Sequence, residues 1–213
     1  MILTASLINY KYKNNFQASK ALSKLAKKWK IIRVNKWIYL TKDYNQEELY
    51  IVSNMLVQNS YISLETVLWM NWILTEIINR NYITAITTTN RPRIYNTSVG
   101  IFNFRFVQDW LFFVPNSLDI RFATFKMATK EKALIDYIYF KVLSISKDTL
   151  KVQKDYVLYL TELRLDLTNI DWELYNSYVS YLNKILVQKK WKYILFKNSL
   201  ILLYKLRNQI SFY

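Results

Sequence analysis

Phe16 to Lys28 reads Phe-Gln-Ala-Ser-Lys-Ala-Leu-Ser-Lys-Leu-Ala-Lys-Lys, and Trp29 to Thr41 continues Trp-Lys-Ile-Ile-Arg-Val-Asn-Lys-Trp-Ile-Tyr-Leu-Thr. In the first half, Ala18, Ala21, Leu22 and Leu25 recur at the i, i+3, i+4, i+7 spacing of one helix face. Gln17, Lys20, Lys24, Lys27 and Lys28 fall on another face. Asn15 is the expected N-cap, and lysines in the last turn suit the helix dipole. In the second half, two runs of β-formers flank Asn35-Lys36-Trp37, which has the length of a three-residue hairpin connection. A helix followed by a basic hairpin is the arrangement of a winged helix-turn-helix. The outer face of that helix, Gln17, Ser19, Lys20, Ser23, Lys24, Lys27 and Lys28, can lie in a major groove, Gln reading base edges and Lys holding phosphates. Lys30, Arg33, Asn35 and Lys36 would carry the hairpin to a neighbouring backbone or minor groove. A full winged helix needs one more helix ahead of the pair. Met1 to Tyr10 is expected to supply the positioning helix, so the first helix is either absent or encoded upstream.

Charge placement supports a polyanion as partner. Residues 1–42 hold ten lysines and arginines and no Asp or Glu. The other 20 basic and 15 acidic residues leave only +5 of the net +15 for the rest of the chain. An AT-rich genome would inflate lysine everywhere, but it would not remove acids from one segment. Concentration of this kind is the electrostatic footprint of nucleic-acid binding.

The chain has no cysteine and no histidine, which removes disulfides, thiolate zinc sites, cysteine nucleophiles and the commonest general base. With 52% hydrophobic and 17% aromatic residues it can bury a sizeable core. Met1 to Tyr10 has neither a basic n-region nor a long apolar run, so no signal peptide is expected. The least polar stretches, Trp110 to Leu118 and Ser199 to Tyr204, fall short of the roughly 18 residues of a membrane helix. The expected compartment is the cytoplasm, with no membrane partner.

Beyond a polar stretch from Lys42 to Glu48, periodicity predicts helices at Glu47–Gln58, from Ser63 onward with Ser63 as cap, and at Lys130–Leu143, Glu173–Gln188 and Ser199–Asn208. Tyr82–Thr89, Gly100–Val107 and Leu111–Val114 read as strands. Strands grouped between helices indicate α+β rather than a parallel α/β sheet. The expected organisation is a winged helix-turn-helix over residues 1–43, incomplete at its start, followed by a larger α+β domain over residues 44–213.

Three ordered segments of the larger domain resemble AbiEi-type antitoxins of type IV toxin–antitoxin (abortive infection) systems. The first is Ser60-Tyr-Ile-Ser-Leu-Glu-Thr-Val-Leu68 followed by Trp72-Ile-Leu-Thr-Glu76. The second is Thr84-Ala-Ile-Thr-Thr-Thr-Asn-Arg-Pro-Arg93 with Gly100-Ile-Phe-Asn-Phe104 after it. The third, Ala128-Thr-Lys-Glu-Lys-Ala-Leu-Ile-Asp136, is similar to the family's A-x-P-E-K-A-L-x-D helix, with Thr129 in place of proline. The resemblance implies a winged helix that represses its own operon by binding its promoter as double-stranded DNA. It also implies a C-terminal domain that counteracts a nucleotidyltransferase-like toxin without a stable complex between the two.

A rival reading is a metal-dependent nuclease built on Glu131, Lys132 and Asp136, since carboxylates with lysine are the ingredients of such sites. Against it, Glu65 and Glu131 each fall in the first turn of a predicted helix, where acids suit the dipole. The expectation is therefore caps and buried anchors, with no catalytic residue, metal or cofactor. A third reading is an RNA-binding or protein-interaction module. Arg91 and Arg93 flank Pro92 in a predicted exposed turn and can be read as solvated charge or as a nucleic-acid contact.

Glycine is nearly missing: the chain has one, where average usage would give about 15. It also has seven tryptophans, and five of them stand where glycine is the usual residue. Trp37 and Trp110 follow Asn35-Lys36 and Asp109 at expected hairpin turns. Trp29, Trp72 and Trp191 follow expected helix ends. These five are expected to be UGA codons read as glycine in the cell, at left-handed positions that a Cβ would strain by roughly 1–2 kcal/mol.

Overall fold

The helix and hairpin of the basic segment form as their periodicities require. The computed structural model describes residues 1–4, 10, 15–28, 30–75, 79–89, 91–113, 116–120, 123–144, 163–185 and 196–204. Strand β1 (Ile2–Thr4) precedes helix α1 (Asn15–Lys27), then strands β2 (Ile31–Arg33) and β3 (Ile38–Thr41). The three strands make an antiparallel sheet in the order β1-β3-β2, with Ile2 opposite Leu40 and Arg33 opposite Tyr39. The N-terminus begins as a strand, because Ile2 and Leu3 pair with β3, and Tyr10, at the end of the span expected to supply the positioning helix, is helical. Residues 5–9 and 11–14 lie outside the described residues.

Alternation along β3 gives the small sheet two duties. Tyr39 joins Ile31 and Leu22 of α1 in a small core, with Leu3, Leu25 and Ala26 packed against it. Ile38 and Leu40 point the other way and, with Val34, enter the main core beside Leu49 and Val52. The basic segment and the larger domain therefore share buried surface across the expected boundary at residues 43/44.

Helix α2 (Gln46–Leu56) opens the larger domain behind a capping box. Asn45 Oδ1 accepts from the Glu48 N–H at 2.9 Å, and Glu48 Oε2 accepts from the Asn45 N–H at 3.2 Å. The elements that follow are β4 (Ser60–Ile62), α3 (Glu65–Met70), β5 (Tyr82–Thr87), β6 (Arg93–Thr97), β7 (Gly100–Phe106), β8 (Asn116–Ile120) and β9 (Ala123–Met127). Helices α4 (Lys130–Ser144) and α5 (Trp172–Ile185) complete the named elements, and residues 196–204 are helical. The six strands form one mixed sheet in the order β6-β7-β5-β4-β9-β8, with β5/β7 and β4/β9 parallel. One face meets α2, where Phe125 of β9 lies 5.6 Å from Tyr50. On the other face Tyr61 and Arg105 meet α4 at Asp136 and Phe140. The fold is α+β. Among the described residues no helix is long and apolar enough to cross a membrane.

Some expectations are corrected. Leu111–Val114 is not a strand: the Leu111 and Phe112 N–H groups close turns onto Gln108 O (2.9 Å) and Asp109 O (3.1 Å), and residue 114 is outside the described set. Ser63 does not cap α3. Leu64 holds that position with φ 58° and no side-chain cap, because Ser63 Oγ is committed to Asp136. Pro92 is followed not by a free turn but by the edge strand β6, where Arg93 pairs with Phe104.

The glycine question divides site by site. Trp72 has φ 60° and is 76% exposed. Its N–H bonds Trp69 O at 3.1 Å while the Ile73 N–H bonds Leu68 O at 2.9 Å, the 5→2 and 6→1 pair of a Schellman helix end. That is a glycine position. Trp37 and Trp110 are not left-handed, so the expected backbone geometry is not met at these two positions. At the hairpin tip Asn35 Oδ1 accepts from the Trp37 and Ile38 N–H groups at 2.7 and 2.8 Å, and this side-chain turn replaces a left-handed residue. Trp110 packs edge-on to Tyr139 at 5.7 Å. Trp29 and Trp191 lie outside the described residues. The single glycine, Gly100, is required: at φ 152°, a Cβ there would sit 2.3 Å from Asn81 O.

Candidate nucleic-acid interface

Helix α1 has a clean division of labour. Ala18 and Leu22 are buried against the small sheet, and Leu25 and Ala26 are half-buried there. At 100° per residue, Phe16, Lys20, Ser23 and Lys27 fall in one line on the opposite side, with Gln17 and Lys24 flanking it. All six are exposed. Lys28 and Lys30, just past the helix, are exposed too. Ser19 belongs to the helix, but its side chain lies outside the described ones. The ion pairs Met1–Glu48, Arg105–Glu65 and Lys132–Asp136 do not engage Lys20, Lys24, Lys27, Lys28 or Lys30. The face therefore presents uncompensated positive charge.

The hairpin holds its own cations in a fixed tip. Arg33 Nε donates to Asn35 O at 3.1 Å, and the Lys36 ammonium lies 4.8 Å from the centre of the Trp37 ring. Arg33 and Lys36 are exposed, whereas Asn35 is half-buried and its side-chain oxygen is used by the turn. Asn35, one of the expected DNA-binding residues, thus shapes the turn through its side-chain oxygen. Ser98 of the larger domain donates to Arg33 O at 2.8 Å and steadies the hairpin from below.

The first and third motif segments place Tyr61, Ser63, Lys132 and Asp136 in the interior. Lys132 and Asp136 are both 0% exposed and form an ion pair one helical turn apart on α4. The Lys132 ammonium also donates to the Tyr61 hydroxyl at 2.8 Å and lies 4.4 Å from the centre of the Phe113 ring. The Tyr61 and Ser63 hydroxyls donate to Asp136 Oδ2 at 3.0 and 2.7 Å. Burial pushes the Asp136 carboxyl up and the Lys132 ammonium down, each opposed by the other's charge. Burial, reinforced by the neighbouring carboxylate, pushes the Tyr61 phenol well up. Thr84 Oγ1 donates to Ser63 O at 2.7 Å and meets Thr66 Oγ1 at 3.1 Å, so the second motif is tied to the first.

The carboxylates of the nuclease reading are occupied separately. Glu131 Oε1 accepts from the Asp171 N–H at 3.0 Å, and Asp171 in turn caps the start of α5. Glu65 Oε1 pairs with Arg105 at 3.0 Å. Among the described residues no three carboxylates converge on a place for a metal ion. Sequence reasoning missed Phe16 as a surface residue: it begins the apolar-looking run, yet it stands on the lysine side of the helix. No family model matches the chain, and no curated protein matches it.

Proposed function

We propose that the chain is a sequence-specific regulator that binds double-stranded DNA at its own promoter through α1 and the β2–β3 hairpin. One observation carries this reading: the side of α1 turned away from the small sheet carries exposed Lys20, Lys24 and Lys27 with Gln17 on its flank, in a segment that contains no acid. A helix backed by a three-stranded sheet, with the connection between two strands projecting beside it, is the geometry by which a winged helix offers a helix to the major groove. The antitoxin role against a nucleotidyltransferase-like toxin rests on the resemblance to the AbiEi type. It is supported by the way its three motif segments knit one buried network in the larger domain. On this reading the motif residues maintain the fold, and the two functions draw on different surfaces of one molecule.

The test separates those functions. A reporter driven by the DNA upstream of the gene should be repressed by the full chain and released by Lys20→Ala/Lys24→Ala/Lys27→Ala. The same triple variant should still rescue cells from an adjacent nucleotidyltransferase-type reading frame. Repression that survives the triple substitution would remove α1 from the interface. Failure of the intact chain to rescue would remove the antitoxin role.

A further inference from the structure

Strand β6 closes one side of the six-stranded sheet, where among the described strands it pairs only with β7. The ladder shows which of its backbone groups are used. The Ile101 N–H donates to Asn81 O at 2.8 Å and the Val107 N–H to Thr87 O at 3.0 Å, so the odd-numbered residues of β7 turn their N–H groups toward β5. Gly100, Phe102 and Phe104 therefore exchange hydrogen bonds with their partners Thr97, Tyr95 and Arg93. By the same alternation the N–H and C=O groups of Ile94 and Asn96 face outward, and no hydrogen bond among the described residues occupies them. Edges of this kind are usually guarded by lysine, proline, charge or a bulge. Between Arg93 and Thr97 there is no lysine, proline or acid, and five successive pairs run without a bulge. Ile94 is instead 63% exposed, and Ile101, on the same sheet face one strand inward, is 38% exposed.

We propose that β6 pairs antiparallel with β6 of a second copy of this chain, about a two-fold axis at Tyr95. In that register Ile94 lies opposite Asn96 of the second copy and Asn96 opposite its Ile94, so every outward N–H and C=O of the two strands finds a partner. Two other registers bring outward groups together, and both are poorer. Centring on Ile94 sets Asn96 against Pro92, which has no N–H. Centring on Asn96 sets Ile94 against Ser98, in the turn that holds Arg33 O at 2.8 Å. The Tyr95-centred register also places Arg93 opposite Thr97, so no like charges face each other across the junction. The side chains agree with it. Ile101 and Ile94 of one copy and Ile94 and Ile101 of the other fall on alternate rows of one face, a diagonal stripe at the roughly 7–8 Å spacing that long side chains bridge. The surface is thus complementary to itself in hydrogen bonding, charge and apolar contact. The inference stands apart from the DNA-binding reading, since α1 and the β2–β3 hairpin take no part in it.

Sedimentation equilibrium of the full chain at concentrations up to about 1 mM should show monomer and dimer in exchange, weakly associated because one strand against one buries little surface. Ile94→Lys, which sets two ammonium groups on adjacent rows across the axis, should weaken the dimer about tenfold or more. Asn96→Pro should do the same while sparing the β6–β7 ladder, because the N–H it removes faces outward. Circular dichroism of each variant checks folding. Raising the salt should strengthen the dimer, because two chains of net charge +15 repel each other. The register has its own test, since the chain has no cysteine. Opposed residues of such a pair have Cα atoms about 5.5 Å apart, within reach of a disulfide. A mixture of Ile94→Cys and Asn96→Cys should therefore cross-link under mild oxidation several times faster than either variant alone. The inference is overturned by a chain that stays monomeric up to about 1 mM, or by a dimer indifferent to both Ile94→Lys and Asn96→Pro. It is overturned equally if either cysteine variant alone cross-links as fast as the mixture. None of these results would touch the DNA-binding reading.

Discussion

Replacing Lys132 by Met should destabilise the protein by about 3–5 kcal/mol, the range for a buried ion pair deprived of one partner. The magnitude follows from the environment. Lys132 and Asp136 are both 0% exposed, and Lys132 supplies the only positive charge paired with the Asp136 carboxylate among the described residues. The Tyr61 and Ser63 hydroxyls remain as donors to that carboxylate, but they cannot neutralise it. For a chain of this length each kcal/mol moves the melting temperature by about 2–4 °C, so a fall of roughly 6–20 °C is expected. Adding Asp136→Leu removes the stranded charge and leaves two hydroxyls short of an acceptor, at about 1–3 kcal/mol each. The double variant should therefore lose about 2–6 kcal/mol, close to Lys132→Met alone, where independent effects would sum to about 6–10 kcal/mol. The single variant should also respond to pH. Without the ammonium, burial holds the Asp136 carboxyl above the ordinary value of about 3.9. The folded state then binds a proton that the unfolded chain has already released, so the deficit should shrink as pH falls toward that value and be complete well above it. Urea titrations followed by circular dichroism at pH 5 and pH 8 measure both effects. A destabilisation below about 1 kcal/mol, or strict additivity in the double variant, would refute the account of this network.

Lys20→Ala/Lys24→Ala/Lys27→Ala should reduce the slope of log affinity against log salt by about 0.9 for each phosphate left without its lysine, measured by fluorescence anisotropy. Gly100→Ala should cost at least about 2 kcal/mol in a thermal melt, because the added Cβ meets a backbone oxygen at a φ that side chains avoid. Trp72→Gly should raise the melting temperature by about 2–8 °C through relief of a left-handed tryptophan, whereas Trp37→Gly, whose turn is made by Asn35, should not. The codon at Trp72 is expected to be UGA, read as glycine in the cell, and UGG at that codon would end the idea. Trp110→Gly should lower stability by about 2–3 kcal/mol, since its ring packs on Tyr139 and Phe196.

Elements with a strong local period were legible in the sequence. Helix α1, α2 and α4, and strands β5 and β7, fall within a few residues of their expected spans. Strands whose existence depends on distant partners were not. β4 is three residues long and fully buried, so it shows no alternation, and β6 reads as a turn until Phe104 and Phe102 are seen to pair with it. Ser63 has the composition of a cap, but Asp136, 73 residues away, claims its hydroxyl. The expected boundary at residues 43/44 marks a change in charge, not in packing: Val34, Ile38 and Leu40 belong to the main core. A fragment starting near Asn45 would therefore uncover buried residues, and point substitutions are the better way to separate the two functions. The lysine face was legible because charge is a property of composition. The exposure of Phe16 was not, since an aromatic residue at a helix start reads equally well as core.

The most direct test of the central claim is a competition titration of the full chain against the duplex from upstream of its own gene. The competitor is a scrambled duplex of equal length and composition at physiological salt. DNA binding through α1 predicts a complex that survives a hundredfold excess of scrambled duplex and is abolished in the Lys20/Lys24/Lys27 triple alanine variant. Equal competition by the scrambled duplex, or a triple variant that binds as tightly as the wild type, would contradict it.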